Sequence, residues 1–492
     1  MSYFFDNILL FTSLTPLFGS ICLLLIPTEH KTYLLNFSFF ISNLTFIFSL
    51  FLWILFDPTS SFFQFTKLIF YFEYSNLYYS IGIDGISLFF VLLTTFLINI
   101  CILLSWQSVS FYIKEYLISF LILEFFLIQV FCVLDLLLFY IFFESVLIPM
   151  FLIVGIWGSR QRKIRAAYQL FLYTLFGSLL MLLGIVFIYS KIGSLDFQIL
   201  STFTFCESTQ LLLWLSFFAS FAVKIPMIPF HIWLPEAHAE APTSGSVILA
   251  GILLKLGGYG FLRFSLPLFP NASIFFAPFV FTLSLIAVIY ASLTTLRQID
   301  LKKIIAYSSV SHMGFVTIGI FSFNPQGLEG SILLMLSHGL VSSALFLCVG
   351  VLYDRFKTRI IKYYSGLVQV MPLFTIFFLF FSFANTGFPG TSSFVGEILV
   401  LIGTLRINVI LTFFMALGVI FSAAYSIWLL NRVNFGILTT NFFTLFQDVS
   451  RREVWVLVPL ALMVLWMGLY PESFLQEIHF SVLNLLEHIN DF

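Results

Sequence analysis

A chain of 492 residues that is 60% hydrophobic and only 9% charged lies well outside the composition of soluble globular proteins, which are roughly 45–50% apolar and about 25% charged. At about 20 apolar residues per crossing, that content supplies some 14 membrane helices with short loops and leaves little for a soluble domain. The formal net charge of −1 provides neither a basic arm for nucleic acid nor an acidic tail for a solvated partner.

In chain order, apolar runs bounded by charge or by Pro, Gly and Asn fall near 6–26, 32–56, 81–106, 115–134, 135–158, 166–190, 211–235, 243–264, 274–296, 302–321, 328–352, 371–402, 407–432 and 454–474. They predict an all-α membrane protein of about 14 transmembrane helices. Loop charges agree with the count. Sixteen Lys and Arg residues, the 160–165 cluster among them, fall on one side, four on the other, and Lys224 and Lys255 lie inside spans. The positive-inside rule then puts both termini on the outer side.

Two spans are interrupted. The seventh contains Pro226, Pro229 and Pro235, and the twelfth contains Gly387, Pro389 and Gly390. Broken membrane helices belong where protein or a watery cavity covers the backbone. Taking helices 4–8 and 9–13 as blocks of five makes the broken helix the fourth member of each, and an odd number inverts the second block, so two inverted five-helix repeats are expected. The corresponding segments are 1–114 (three helices), 115–264 (first repeat), 265–432 (second repeat) and 433–492 (the fourteenth helix and a tail).

The five cysteines are scattered, with no spacing that would hold zinc or an iron–sulfur cluster, and read as small buried hydrophobes. No metal site or quinone pocket is legible. The first residues have no basic n-region, cleavage site or Arg/Ser-rich presequence, so import after synthesis is not expected. Sixty-eight Phe residues spread over every span read as codon bias and point to an organellar genome.

Ionisable residues inside the spans carry the chemistry. A charge at the bilayer centre costs roughly 2.5–3.5 kcal/mol on insertion scales, so each one must face protein or water. Glu144 lies nine residues beyond Asp135, about 13 Å deep at ~1.5 Å per residue. Lys255 is central between Thr243 and Phe264, Lys224 directly precedes the seventh-helix break, and His312, His338 and Glu397 each lie well inside their helices. Pro149 should kink the fifth helix and free a carbonyl near Glu144. Bland readings remain for several. Glu144 and Lys224 can be a structural ion pair, His231 and His312 can be satisfied interhelical hydrogen-bonders, and Glu124 can be a local pair. Asp135, Glu236, His238 and Glu240, at helix ends or in a connection, read as solvated. The chemistry nevertheless fits proton movement, because a breakable Glu–Lys contact switches proton affinity and histidine titrates near neutral pH.

The segments FYIFFESVLIPMFLIVGIWGSR, KIPMIPFHIWLPEAHAEAPTSGSVILAGILLKLGGYG, YSSVSHMGF and LSHGLVSSALF resemble the antiporter-like subunits of respiratory complex I, over essentially all of the chain. A glutamate in the second broken helix, Glu397, and the absence of a long lateral extension are similar to one branch of these antiporter-like subunits. The superfamily also holds Mrp-type cation/proton antiporters and membrane-bound hydrogenase subunits, the alternatives here. The resemblance implies a proton-translocating role in NADH:ubiquinone reductase, with Glu144 and Lys224 as coupling pair, Lys255 as central relay, His312 and His338 as relay or water-organising members, and Glu397 ending the path. It implies no cofactor in this chain, with NADH, FMN, iron–sulfur clusters and ubiquinone in partner subunits. It further implies neighbouring antiporter-like subunits and lipid as partners, and a seat in the mitochondrial inner membrane or, alternatively, a bacterial plasma membrane.

Overall fold

A computed structural model describes residues 7–72, 77–438 and 446–490. The first six residues, on which the reading of the N-terminus partly rests, and the last two lie outside them. In chain order the elements are α1 (Ile8–Leu25), α2 (Lys31–Leu55), β1 (Gln64–Phe72), β2 (Leu77–Ile83), α3 (Gly85–Ser108), α4 (Ile113–Cys132), α5 (Leu136–Ser145), α6 (Leu147–Trp157), α7 (Lys163–Ile192), α8 (Phe197–Ser201), α9 (Glu207–Lys224) and α10 (Trp233–Glu240). Then come α11 (Thr243–Leu268), α12 (Pro270–Arg297), α13 (Leu301–Ile320), α14 (Pro325–Phe356), α15 (Pro372–Asn385), α16 (Ser392–Leu405), α17 (Val409–Asn434), α18 (Arg451–Leu469) and α19 (Glu472–Asn490).

Among the described residues, eleven segments are long and apolar enough to cross a membrane, fewer than the fourteen expected. The other three expected positions hold α9 with α10, α13, and the pair α15 and α16. Broken or polar helices fall short on length or hydropathy, which is the property that marked two of them in the sequence. The fifth span is one segment, Leu136–Trp157, interrupted at Val146, three residues before Pro149. A proline lacks the N–H that would hold the preceding turn.

Two elements were not foreseen. β1 and β2 form an antiparallel hairpin, built from an aromatic and β-branched stretch of the kind that favours strands. The tail after α18 folds as the amphipathic helix α19.

Contacts divide the chain into two units, residues 1–225 with 255–276 and 476–492, and residues 226–254 with 277–475. In the first, α9 packs on α7, where glycines permit close approach: a Cβ at Gly177 would lie 2.9 Å from the Ala219 carbonyl oxygen. A buried pair, Arg263 Nη2 to Asp84 Oδ1 at 2.5 Å, ties α11 to the start of α3, and Arg263 Nε donates to Tyr259 Oη. The start of α3 is capped by Asp84 and Ser87, and the backbone N–H of Gly85 donates to Ser481 Oγ of α19 at 3.0 Å. Lys114 donates to the carbonyls of Leu24 and Ile26 at 2.8 and 2.9 Å, serving the open C-terminal end of α1 as a cation should. In the second unit, α16 packs on α14, as α9 packs on α7 in the first. Each broken helix therefore lies against the span that precedes it.

Several polar residues read as solvated are buried instead. Asp135 is fully buried and accepts from the backbone N–H groups of Leu137 and Leu138, an N-cap for α5. His238 is also inaccessible, stacked on Phe346 with ring centroids 4.6 Å apart. Glu240 is buried too, 3.6 Å from Arg359. Glu236 alone fits the solvated reading, half-exposed in a pair with Lys303 at 2.6 Å.

Candidate functional site

The six candidate residues fall into two local sites and one helix interior. The first site is the end of α9. The break after Lys224 leaves α9's last turn without continuing N–H donors, so its carbonyls need other partners. Lys224 is 3% exposed, its ammonium donating to the Phe143 carbonyl at 3.3 Å and lying 4.1 Å from the centre of the Phe143 ring. That carbonyl sits one turn before the interruption at Val146, and the aromatic face adds a cation–π contact. Glu144 is half-buried, and the Ser178 hydroxyl on α7 reaches it. Among the described residues Glu144 and Lys224 form no ion pair. The two charges sense each other electrostatically, but the ammonium rests on the neighbouring residue's backbone and ring.

Lys255 is completely buried in α11. Two π-helical turns flank it, Leu249–Leu253 and Phe261–Ser265, a local rewinding common at functional sites and one that the sequence pattern does not signal. The glycines after it do what their size suggests. A Cβ at Gly257 would fall 2.6 Å from Ile225 and 2.8 Å from the Phe221 carbonyl oxygen, so α11 and α9 meet backbone to backbone there.

The second site is the break between α15 and α16. Gly387 and Gly390 take φ of 71° and 90°, open to glycine at no steric cost, and the turn so formed folds over Glu397. Any side chain at Gly387 would meet Glu397 Oε2 at 2.5 Å. Glu397 Oε1 lies 3.3 Å from His312 Nδ1, both side chains being almost inaccessible, and the His312 and His338 rings are 5.7 Å apart, centre to centre. Glu397, His312 and His338 are thus neighbours in space, although they come from α16, α13 and α14.

Other polar groups were not singled out in the sequence. Tyr425 of α17, buried, accepts from Asn385 Nδ2 at 3.4 Å, with Ser308 and Ser311 also in reach and Glu397 close enough to act on it electrostatically. A tyrosine in an apolar run is a signal, since a buried phenol needs a partner. Lys302, counted as a loop charge, is 2% exposed and donates to the Ala241 carbonyl at 2.7 Å. Arg359 is fully buried, with Glu240 and Asp300 each 3.6 Å away. Adjacent residues on a helix point apart, which is how Lys303 stays at the surface while Lys302 turns inward.

Glu124 is buried and accepts from Thr45 Oγ1 at 2.6 Å, a local pair. His231 packs edge-on between Tyr290 and Tyr307. Among the described residues no group of three or more His, Cys, Asp or Glu is placed to hold a metal ion.

The chain has relatives. The family described as NADH:quinone oxidoreductase/Mrp antiporter, TM matches residues 133–424. NADH-ubiquinone oxidoreductase chain 4 of Chondrus crispus is 73% identical over 484 residues, 98% of either chain. NADH-quinone oxidoreductase subunit M of Rickettsia bellii is 51% identical over 447 residues, 90% of either chain. A chain of respiratory complex I from Thermus thermophilus superposes with a TM-score of 0.88 at 28% identity, covering 98% of this chain and 99% of that one. A chain of the Mrp complex from Dietzia sp. has the same fold, with a TM-score of 0.86 at 17% identity and 99% of both chains covered.

Proposed function

Since the chain belongs to the antiporter-like membrane subunits of NADH:ubiquinone oxidoreductase, the kind called chain 4 in eukaryotes and subunit M in bacteria, we propose that it carries protons through the buried series Glu144, Lys224, Lys255, His312, His338 and Glu397. It is a membrane subunit of a proton-translocating enzyme, complex I. Oxidation of NADH and reduction of ubiquinone, with FMN and iron–sulfur clusters, belong to partner subunits, and other membrane-arm subunits, antiporter-like ones among them, are its neighbours. A mitochondrial inner membrane is its seat, because the Chondrus crispus relative at 73% identity stands well above the Rickettsia bellii one at 51%.

The observation that carries the reading is the 3.3 Å contact of His312 with Glu397 under a helix break. A titratable base touches a titratable acid where the helix ladder is interrupted, and such a pair can pass or hold a proton. The other end supports it: Lys224 has its charge parked beside Glu144 rather than on it, so the coupling contact is one rearrangement from being made. A contact that changes the proton affinity of both groups is the element on which distant redox chemistry can act.

The test is proton pumping by the intact complex with Glu397→Gln or Lys224→Ala, at matched assembly. Loss of pumping supports the series, and normal stoichiometry in both variants removes it. The shared fold with an Mrp complex keeps a cation/proton antiporter as the second reading, which sodium-dependent transport by the purified chain would favour.

A further inference from the structure

We propose that the cavity at the ends of α12 and α17 holds the phosphate headgroup of an anionic phospholipid, gripped by Arg297, Lys362 and Arg432.

The cavity measures about 660 Å³ and is lined by those three cations together with Trp428, Tyr364 and Ser365, and by no carboxylate. Arg297 stands in the last turn of α12 and Arg432 in that of α17. Either alone is explained as a cation at a helix C-terminus. Lys362 is not: it comes from the connection between α14 and α15 and belongs to no spanning helix. Among the described residues none of the three side chains has an ion pair or hydrogen bond. Arg432 lies against the Trp428 ring, 6.0 Å from its centre. Three like charges therefore converge on one cavity with no counter-ion among the described residues, in a setting where each Lys or Arg near a membrane surface adds roughly 1 kcal/mol of attraction for an anionic headgroup.

The surroundings select a lipid over a free ion. Both helices are long apolar spans that end at the cavity, and Trp428 stands where an indole prefers to be, at the membrane–water boundary. Below it the exposed faces are apolar tracks, Ile286, Tyr290 and Leu293 on α12 and Ile420 and Ile427 on α17, and each leads away from the cations along the direction acyl chains would take. Burial pushes the Tyr364 phenol up, and its hydroxyl donates to the Thr358 carbonyl at 2.8 Å, so the cavity floor adds no negative charge. Phosphate is the shared chemistry of a headgroup and a free ion. The tracks are what distinguish them.

The experiment uses complex I containing this chain, reconstituted in phosphatidylcholine vesicles doped with a photoactivatable phosphatidylglycerol. Labelling of the peptide carrying Trp428 is expected in the wild-type complex, unaffected by excess inorganic phosphate and several-fold weaker with a photoactivatable phosphatidylcholine. Arg297→Gln, Lys362→Gln and Arg432→Gln should each weaken it by roughly fivefold, with Arg297→Lys and Arg432→Lys retaining most of it. Equal labelling by the two probes, undiminished labelling in the combined glutamine variant, or displacement by inorganic phosphate would overturn the proposal. If the combined variant does not assemble, probe selectivity and phosphate competition on the wild-type complex decide.

Discussion

The ammonium of Lys224 lies 3.3 Å from the backbone oxygen of Phe143 and 4.1 Å from the centre of its ring, one residue short of the carboxylate at Glu144. The lysine is thus held by weak, neutral partners within reach of a strong, charged one. Making that contact would bind the ammonium to the carboxylate and so change the proton affinity of both groups.

Lys224→Ala and Glu144→Gln are expected to lower coupled quinone reduction by roughly 10²-fold, the lower range for loss of a proton-transferring group, with assembly intact on native gels. Glu144→Asp keeps the charge and shortens the reach by one methylene, so it should retain an intermediate rate. Wild-type pumping stoichiometry in the first two variants would make the pair structural.

Gly387→Ala tests the second site without touching an ionisable group. The added methyl must occupy a left-handed conformation that costs an L-residue roughly 1–2 kcal/mol, and it would meet the Glu397 carboxylate. Pumping should fall about as far as in Glu397→Gln while the chain still assembles. Unchanged pumping in Gly387→Ala would show that the position of Glu397 under the break is immaterial.

Lys255→Met keeps length and removes charge. With the residue wholly buried between two π turns, the substitution should leave the complex assembled and folded while abolishing pumping. Thermal unfolding and proton uptake measured on one preparation separate the two effects. A variant that pumps normally takes Lys255 out of the path.

Much of this was legible in the sequence for one reason. In a membrane chain a lone Glu, Lys or His within an apolar run must face protein or water, so Glu144, Lys224, Lys255, His312, His338 and Glu397 stood out even where a structural reading was open. The breaks were equally visible, through Pro226, Pro229 and the Gly387–Gly390 turn. Charges near span ends were illegible, because Lys302 and Arg359 count among the sixteen cations of one side and Arg263 among the four of the other, and each fits a loop as well as it fits burial. Only tertiary packing separates the two readings. The π turns around Lys255 arise from tertiary packing and leave no periodicity to read. The hairpin could have been read from its β-branched and aromatic residues, but membrane hydropathy masked them.

Asp84→Asn bears on stability alone. It leaves the buried Arg263 guanidinium without its 2.5 Å partner, and breaking a buried pair costs about 3–5 kcal/mol. The complex should dissociate or unfold at clearly lower temperature in a thermal shift assay. Near wild-type stability would mean that Tyr259 and the surrounding rings suffice to hold the charge.

Loop labelling settles orientation. A cysteine placed at Gln161 should react with an impermeant reagent only from the matrix or cytoplasmic face, given sixteen cations on that side and four on the other. Reaction from the opposite face would invert the whole topology.

The contact of Ser481 with the N–H of Gly85 spans 396 positions, and residues 476–492 belong with the first unit rather than with the spans just before them. A ribosome delivers a chain in one direction, so α3 enters the bilayer capped only by its own Asp84 and Ser87, and the Gly85 N–H waits for Ser481 until nearly everything else has been made. Ring closure over so long a stretch carries a large but slowly growing entropic cost and delays the step that completes the unit. A frameshift after Leu475 would therefore do its damage at the far end of the gene product, leaving the half synthesised first as the half that cannot finish.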